Sequence, residues 1–138
     1  MRDVRRSQFG GFDKPLSSIF NKFSQDEPSE VNAALDELDR YVGAVLGKVP
    51  SSKMRNIYAV IKSASNQKDT NSKLRELAYF RYKMAYIAAR DNNLKRFASD
   101  MSKIITELVD KKKELLDKFF IFCEAIVAYH KKYARTGG

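Results

Sequence analysis

The sequence predicts an all-α fold: a compact bundle of about five helices behind an N-terminal arm. Three observations carry that prediction. Apolar residues recur every three to four positions through most of the chain, and no stretch alternates apolar with polar as a strand does. Only three prolines and six glycines punctuate 138 residues, and four of those glycines sit near the termini, too few for the turns of an all-β domain. The last apolar stretch, Leu115 to Tyr133, holds neither residue, and at ~1.5 Å per residue it runs roughly 30 Å, the width of a small domain. A chain of this length suits one domain with a real core.

Residues 1–29 read as a partly disordered arm and residues 30–138 as a single helical domain. Gly10-Gly11, Pro15 and Pro28 break the arm, and Ser17, Ser18, Ser24 and Asp26 favour turns. Leu16, Ile19, Phe20 and Phe23 have helical spacing, which allows a short amphipathic turn to dock; Phe9 and Phe12 are candidate anchors to the domain or to a neighbouring subunit. The first helix of the domain starts after Pro28, with Ser29 as N-cap and Glu30 where the helix dipole favours an acid. Val31, Leu35, Leu38, Val42, Val45 and Leu46 form its inward stripe. Asp36, Glu37 and Asp39 face outward, toward a basic neighbour rather than RNA. Gly47 fits the left-handed position after a helix end, and Pro50 prevents continuation.

The second helix covers about Ser52 to Asn66, capped by Ser51 or Ser52, with Met54, Ile57, Tyr58 and Ile61 inward. Arg55, Ala59, Lys62 and Asn66 recur at spacings of four, three and four, a basic stripe one helix long; Lys53 is counted with the same set. The third helix, about Ser72 to Asp91 with Thr70 or Asn71 as cap, turns Leu74, Leu77, Ala78, Met84, Ala85 and Ala88 inward. Tyr79, Tyr82, Lys83, Tyr86 and Arg90 crowd its other side. Tyrosines interleaved with cations suit a groove for RNA, where bases or sugars lie on rings and phosphates meet charge. They equally suit an amphipathic core with only the hydroxyl wet; Tyr86 is assigned to the core, and Tyr79 and Tyr82 stay open. Arg81 falls near the apolar stripe and should snorkel or pair with an acid. The fourth helix, about Leu94 to Val109, packs with Leu94, Phe97, Met101, Ile104, Ile105 and Leu108. Lys95 and Arg96 stand at its start, where the dipole disfavours cations, and so hint at an external anion. Asp110 to Lys113 is a solvated connector.

The last helix shows two adjoining apolar stripes, one through Leu115, Phe119, Phe122, Ile126, Tyr129 and Tyr133, the other through Leu116, Phe120, Cys123, Val127 and His130. So broad a face predicts a helix surrounded by others and the most buried of the bundle. Its charged residues exclude a membrane span.

The net charge is +9, and its distribution is more telling than its size. Residues 52–96 hold eleven basic and three acidic side chains, while residues 30–51 hold two and four. Such a concentrated excess points to a binding surface, most often for nucleic acid. Any one exposed cation is also readable as a solvated side chain. The candidate RNA contacts are Lys53, Arg55, Lys62, Lys83, Arg90, Lys95 and Arg96.

The inventory for catalysis is thin. The single cysteine excludes an internal disulfide and agrees with a reducing cytoplasm, and MRDVRRSQFGGFDKP lacks the apolar stretch of a secretory signal. Cys123 and the single histidine, His130, lie two turns apart on one helix, ~10 Å along its axis and too far to act as a pair. His130 reads as a packed or rim residue. No glycine-rich phosphate loop, HExxH or converging acids occur, so no catalytic residue, metal or cofactor is expected.

Three runs carry a family resemblance: SSKMRNIYAVIK (51–62), FRYKMAYIAAR (80–90) and FFIFCEAIVAYHKKY (119–133). They resemble the small helical subunit of type III-A CRISPR interference (Csm) complexes, with Lys83, Ala85-Tyr86 and Ala89-Arg90 matching the pattern of its middle motif. Tyr82 stands where that family often has proline, so no kink is carried over. The resemblance implies a helical bundle repeated as several copies, a thinner filament beside the subunits that grip the guide RNA. It implies that cutting of target RNA belongs to the backbone subunits, and DNA handling and signalling-nucleotide synthesis to the large subunit. Expected partners are therefore the guide and target RNA backbones, the backbone and large subunits and copies of the chain itself, with no membrane. The sibling type III-B small subunit, an RNA-processing enzyme and a DNA-binding bundle remain as alternatives. The last lacks recognisable helix-turn-helix turn chemistry.

Overall fold

The computed structural model describes residues 12–134, all helix, turn and loop with no strand among them. Among the described residues six α-helices follow one another: α1 Leu16–Phe23, α2 Pro28–Leu46, α3 Ser51–Ser65, α4 Thr70–Ala89, α5 Lys95–Asp110 and α6 Leu116–Tyr133. Single 3-10 turns, Asn92–Leu94 and Lys113–Leu115, lead into the last two.

The starts of the helices follow local chemistry. Pro28 is the first residue of α2, where its fixed φ suits a helix and its missing N–H costs nothing, so Glu27 and not Ser29 stands at the N-cap. At α3 the proline stands one position earlier: Pro50 itself, and not Ser51 or Ser52, is at the N-cap. At α4 the cap is Asp69, whose carboxylate accepts from the Ser72 N–H at 2.8 Å. Gly47 corrects an expectation: its φ is −60°, ordinary right-handed backbone, so no left-handed residue ends α2.

Neighbour packs on neighbour in a closed circuit, α1 on α2, α2 on α6, α6 on α3, α3 on α4, α4 on α5 and α5 back on α1. The core fills the centre of that circuit. Phe20 and Phe23 of α1 meet Phe122 of α6 with ring centroids 5.1 Å apart in each case, and Phe20 also meets Phe119 edge-on. Leu16 and Ile19 are completely buried, so the apolar face of α1 belongs to the core of the bundle. Phe9 lies outside the described residues, while Phe12 stands edge-on to the ring of Tyr41.

Helix α6 is a member of the circuit and not its axis, which corrects the expectation of a surrounded helix. Asp117, Ile121, Glu124, Ala128, Lys131 and Lys132 leave an exposed stripe along its whole length. Its broad apolar face is explained by three partners, α1, α2 and α3. On α2 the inward set includes Ala34, Tyr41 and Glu37 as well as the aliphatic stripe. Glu37 and Asp39 do face basic groups, but within the chain. Lys14 and Lys22 both reach Glu37 at 2.9 Å, and Asp39 takes Lys132 at 2.7 Å and the Tyr133 hydroxyl at 2.8 Å. A Cβ at Gly43 would sit 2.8 Å from the Tyr133 ring, so the glycine is what lets the end of α6 lie against α2.

A buried polar network joins α2 to α5. The Tyr41 hydroxyl, in a fully buried side chain, donates to Asp100 at 2.6 Å. The Arg96 guanidinium lies over the Tyr41 ring at 5.3 Å and pairs with Asp100 at 3.6 Å. Burial first, then the neighbouring Asp100 carboxylate, pushes the Tyr41 phenol far above the usual tyrosine range, so it stays a donor.

Candidate nucleic-acid interface

Helix α3 sits between α4 and α6 and turns Met54, Ile57, Ile61 and Ala64 inward. Arg55, Ala59, Lys62 and Asn66 are exposed on the opposite side, where the four-three-four spacing places them. Lys53 points the other way. It spans to the end of α4 and meets Asp91 at 2.6 Å, holding that carboxyl below its ordinary value together with the Asn93 N–H. Arg55 opens instead toward α6, into a groove of about 360 Å³ lined also by Ser51, Tyr58, His130 and Lys131.

Helix α4 buries Leu74, Leu77, Phe80, Met84 and Ala88. Phe80 takes the place expected for Ala78 and Ala85, which are exposed. That rotation of the stripe carries the three tyrosines outward: Tyr79 is 46% exposed, Tyr82 and Tyr86 each 64%. Tyr86 is therefore a surface residue and not part of the core. Lys83 and Arg90 share the outward side; Arg90 donates to the Tyr86 hydroxyl at 3.0 Å and lies over its ring at 5.7 Å. Arg81 is exposed and finds a hydroxyl rather than an acid, donating Nε–H to Ser102 at 2.8 Å. With Lys103 it borders an open groove between α4 and α5 of about 600 Å³.

At the start of α5 the two cations part company. Both are exposed, but the Arg96 guanidinium is engaged by Asp100, the Tyr41 ring and the Lys14 carbonyl at 3.1 Å. The internal carboxylate explains Arg96 without an external anion. Of the seven candidate cations, then, the side chains of Arg55, Lys62, Lys83 and Lys95 make no ion pair or hydrogen bond among the described residues. Arg90 is held only by a tyrosine, and Lys53 and Arg96 serve internal pairs. Arg55 and Lys62 lie on the α6 flank of α3, with Lys83 and Arg90 on the outer side of α4. Two further cations share these surfaces: Arg75 stands on the outward side of α4 by spacing alone, whereas Lys131 joins Arg55 only through the packing of α3 on α6.

The remaining chemistry-bearing residues are structural in this fold. His130 is buried and bonds the Val49 carbonyl through Nε2 at 2.8 Å, tying the end of α6 to the loop before α3. Cys123 is buried, and burial pushes its thiol far above the usual range. Among the described residues no group of three or more His, Cys, Asp or Glu side chains is placed to hold a metal, and no helix is long and apolar enough to cross a membrane.

Residues 29–136 match the family model described as Csm2 Type III-A. The chain belongs to the Csm2 family. No curated protein and no solved structure matches it significantly. Csm2 proteins are small structural subunits of the type III-A CRISPR complex, so this chain's partners lie within that effector complex. The matching model is the type III-A one, the first of the two sibling readings. It takes in α2 through α6 and so includes the whole of the basic surface, whereas α1 precedes it.

Proposed function

We propose that this Csm2 subunit holds the guide–target RNA duplex by its phosphates, without cleaving it, from the outer faces of α3 and α4. Copies of the chain stack along the complex, and other surfaces meet the backbone and large subunits. The observation that carries this reading is how charge is used. Glu37, Asp39, Asp91 and Asp100 are each engaged by a cation of the same chain. Arg55, Lys62, Lys83 and Lys95 are left exposed without such a partner among the described residues. Side chains that meet phosphates without reading bases grip a duplex by shape and charge, which suits a subunit that serves any guide sequence.

The test is RNA affinity against salt in the assembled complex, for Arg55→Ala/Lys62→Ala and for Lys83→Ala/Arg90→Ala. Each lost phosphate contact should reduce the salt slope by roughly 0.7–0.9, equally for unrelated sequences. An unchanged slope with normal assembly means the face is only solvated; lost assembly with intact folding moves these residues to subunit contacts. Metal-dependent RNA cleavage by the purified chain, abolished in His130→Ala, would favour the enzyme reading instead.

A further inference from the structure

Helix α4 exposes more aromatic surface than its packing needs. Taking ~100° per residue, Arg75, Tyr79, Tyr82, Lys83, Tyr86 and Arg90 fall within an arc of about 100°, diametrically opposite the buried Leu74, Leu77, Phe80, Met84 and Ala88. No acid lies in that arc. Three of the chain's seven tyrosines stand there, and they account for three of the four large exposed apolar side chains among the described residues. Tyr82 neighbours both Tyr79 and Tyr86 on the helix surface, so the rings form a continuous ridge ~10 Å long. A phosphate-binding face does not call for such rings, since phosphate contacts need only cations and donors.

From this ridge we propose that α4 is a stacking platform for unpaired bases of single-stranded RNA. This deepens, and rests on, the reading of the basic face as an RNA contact. Two or three bases lie on Tyr79, Tyr82 and Tyr86, while Arg75, Lys83 and Arg90 meet the phosphates between them. Every base has a face to stack, so the site takes any sequence, but it requires bases that are out of a duplex. The charge of the arc selects the occupant, because three cations with no acid between them favour a polyanion over an ordinary protein surface. Arg90 already covers part of the Tyr86 ring and holds its hydroxyl, which fixes that ring in place before a base arrives.

The experiment uses the full chain and three RNA probes of equal length: a single-stranded oligouridylate, a fully paired duplex and an abasic ribose-phosphate strand. Affinity is measured across a salt series, together with quenching of tyrosine emission, which is readable because the chain has no tryptophan. Wild type should bind the oligouridylate more tightly than the abasic strand and lose tyrosine emission on doing so. Tyr79→Ala/Tyr82→Ala/Tyr86→Ala should weaken oligouridylate binding about 10- to 100-fold with its salt slope retained. Its binding to duplex and abasic strand should stay at the wild-type level. The corresponding triple Phe variant should bind as wild type does, since the rings remain. Equal losses on abasic and single strands, wild-type affinity in the triple Ala variant, or no single-strand binding at all would overturn the proposal. So would lost incorporation into the complex with RNA binding intact, which would make the ridge a protein contact. If Arg55→Ala/Lys62→Ala leaves every salt slope unchanged while the Ala triple loses oligouridylate binding, the duplex reading fails on α3 and the ridge stands.

Discussion

Tyr41→Phe removes one oxygen from a fully buried side chain and leaves its packing in place. The ring keeps its edge contact with Phe12 at 6.2 Å and its cover by Arg96. What disappears is a 2.6 Å hydrogen bond to a carboxylate, and bonds to charged groups contribute roughly 1.5–3 kcal/mol. Asp100 retains Arg96 as a partner, so the lower half of that range applies, about 2 kcal/mol. For a chain of this size that is a fall of about 8 °C in Tm. Asp100→Ala is the harsher change, because it strands the Tyr41 hydroxyl in the core and frees Arg96; about 3 kcal/mol is expected. The double variant should lose less than the two single losses added together, since the Tyr41→Phe change has already removed the hydroxyl that would be stranded. Urea melts of the four proteins decide the matter. A Tyr41→Phe loss under about 0.5 kcal/mol, with additive single effects, would show that the network is not coupled as its geometry implies.

Phe122→Ala, at a completely buried ring held between Phe20 and Phe23, should cost about 3–5 kcal/mol in urea melts, and a near-neutral result would contradict the α1–α6 packing. Gly43→Ala should destabilise the chain by about 1 kcal/mol by displacing the Tyr133 ring, and in a Tyr133→Ala background the same change should instead stabilise by roughly 0.5–1 kcal/mol through helix propensity. Hydrogen bonds from Lys22 and then Lys14 hold the Glu37 carboxyl below its ordinary value near 4.5. The stability it contributes is therefore present above that value and lost as pH falls through the folded pKa, so Glu37→Gln should flatten the acid limb of a stability–pH profile. An unchanged acid limb would assign acid sensitivity to other carboxylates.

What the sequence made legible is what its periodicity encodes locally. The long helices lie where the three-to-four spacing put them, and the Arg55–Asn66 stripe faces outward because four residues one turn apart must share a side. The α4 tyrosines were not settled by the same rule. Two stripes fit that helix, one through Ala78 and Ala85 and one through Phe80, and only packing against α3 and α5 selects the larger side chain. Charges were the least legible. Lys53 and Arg96 looked like Arg55 and Lys95, and the difference is made by Asp91 and Asp100, whose placement depends on tertiary packing. Glu37 reads as a surface acid until the residues ahead of α2 fold back over it with two lysines.

The closure of the circuit by α1 sets the order in which the molecule can be completed. Phe20 and Phe23 lie about a hundred positions ahead of Phe119 and Phe122, the rings that cover them. During synthesis α1 leaves the ribosome ahead of its partners and pairs first with α2, while Phe20 and Phe23 wait for the rings of α6. Loop closure over such a span is slow relative to helix formation, so docking of α6 on α1 and α2 is the late event. Until then the nascent chain presents Phe20, Phe23 and the inner edge of α2 together. A partner that met that surface would compete with α6 for it.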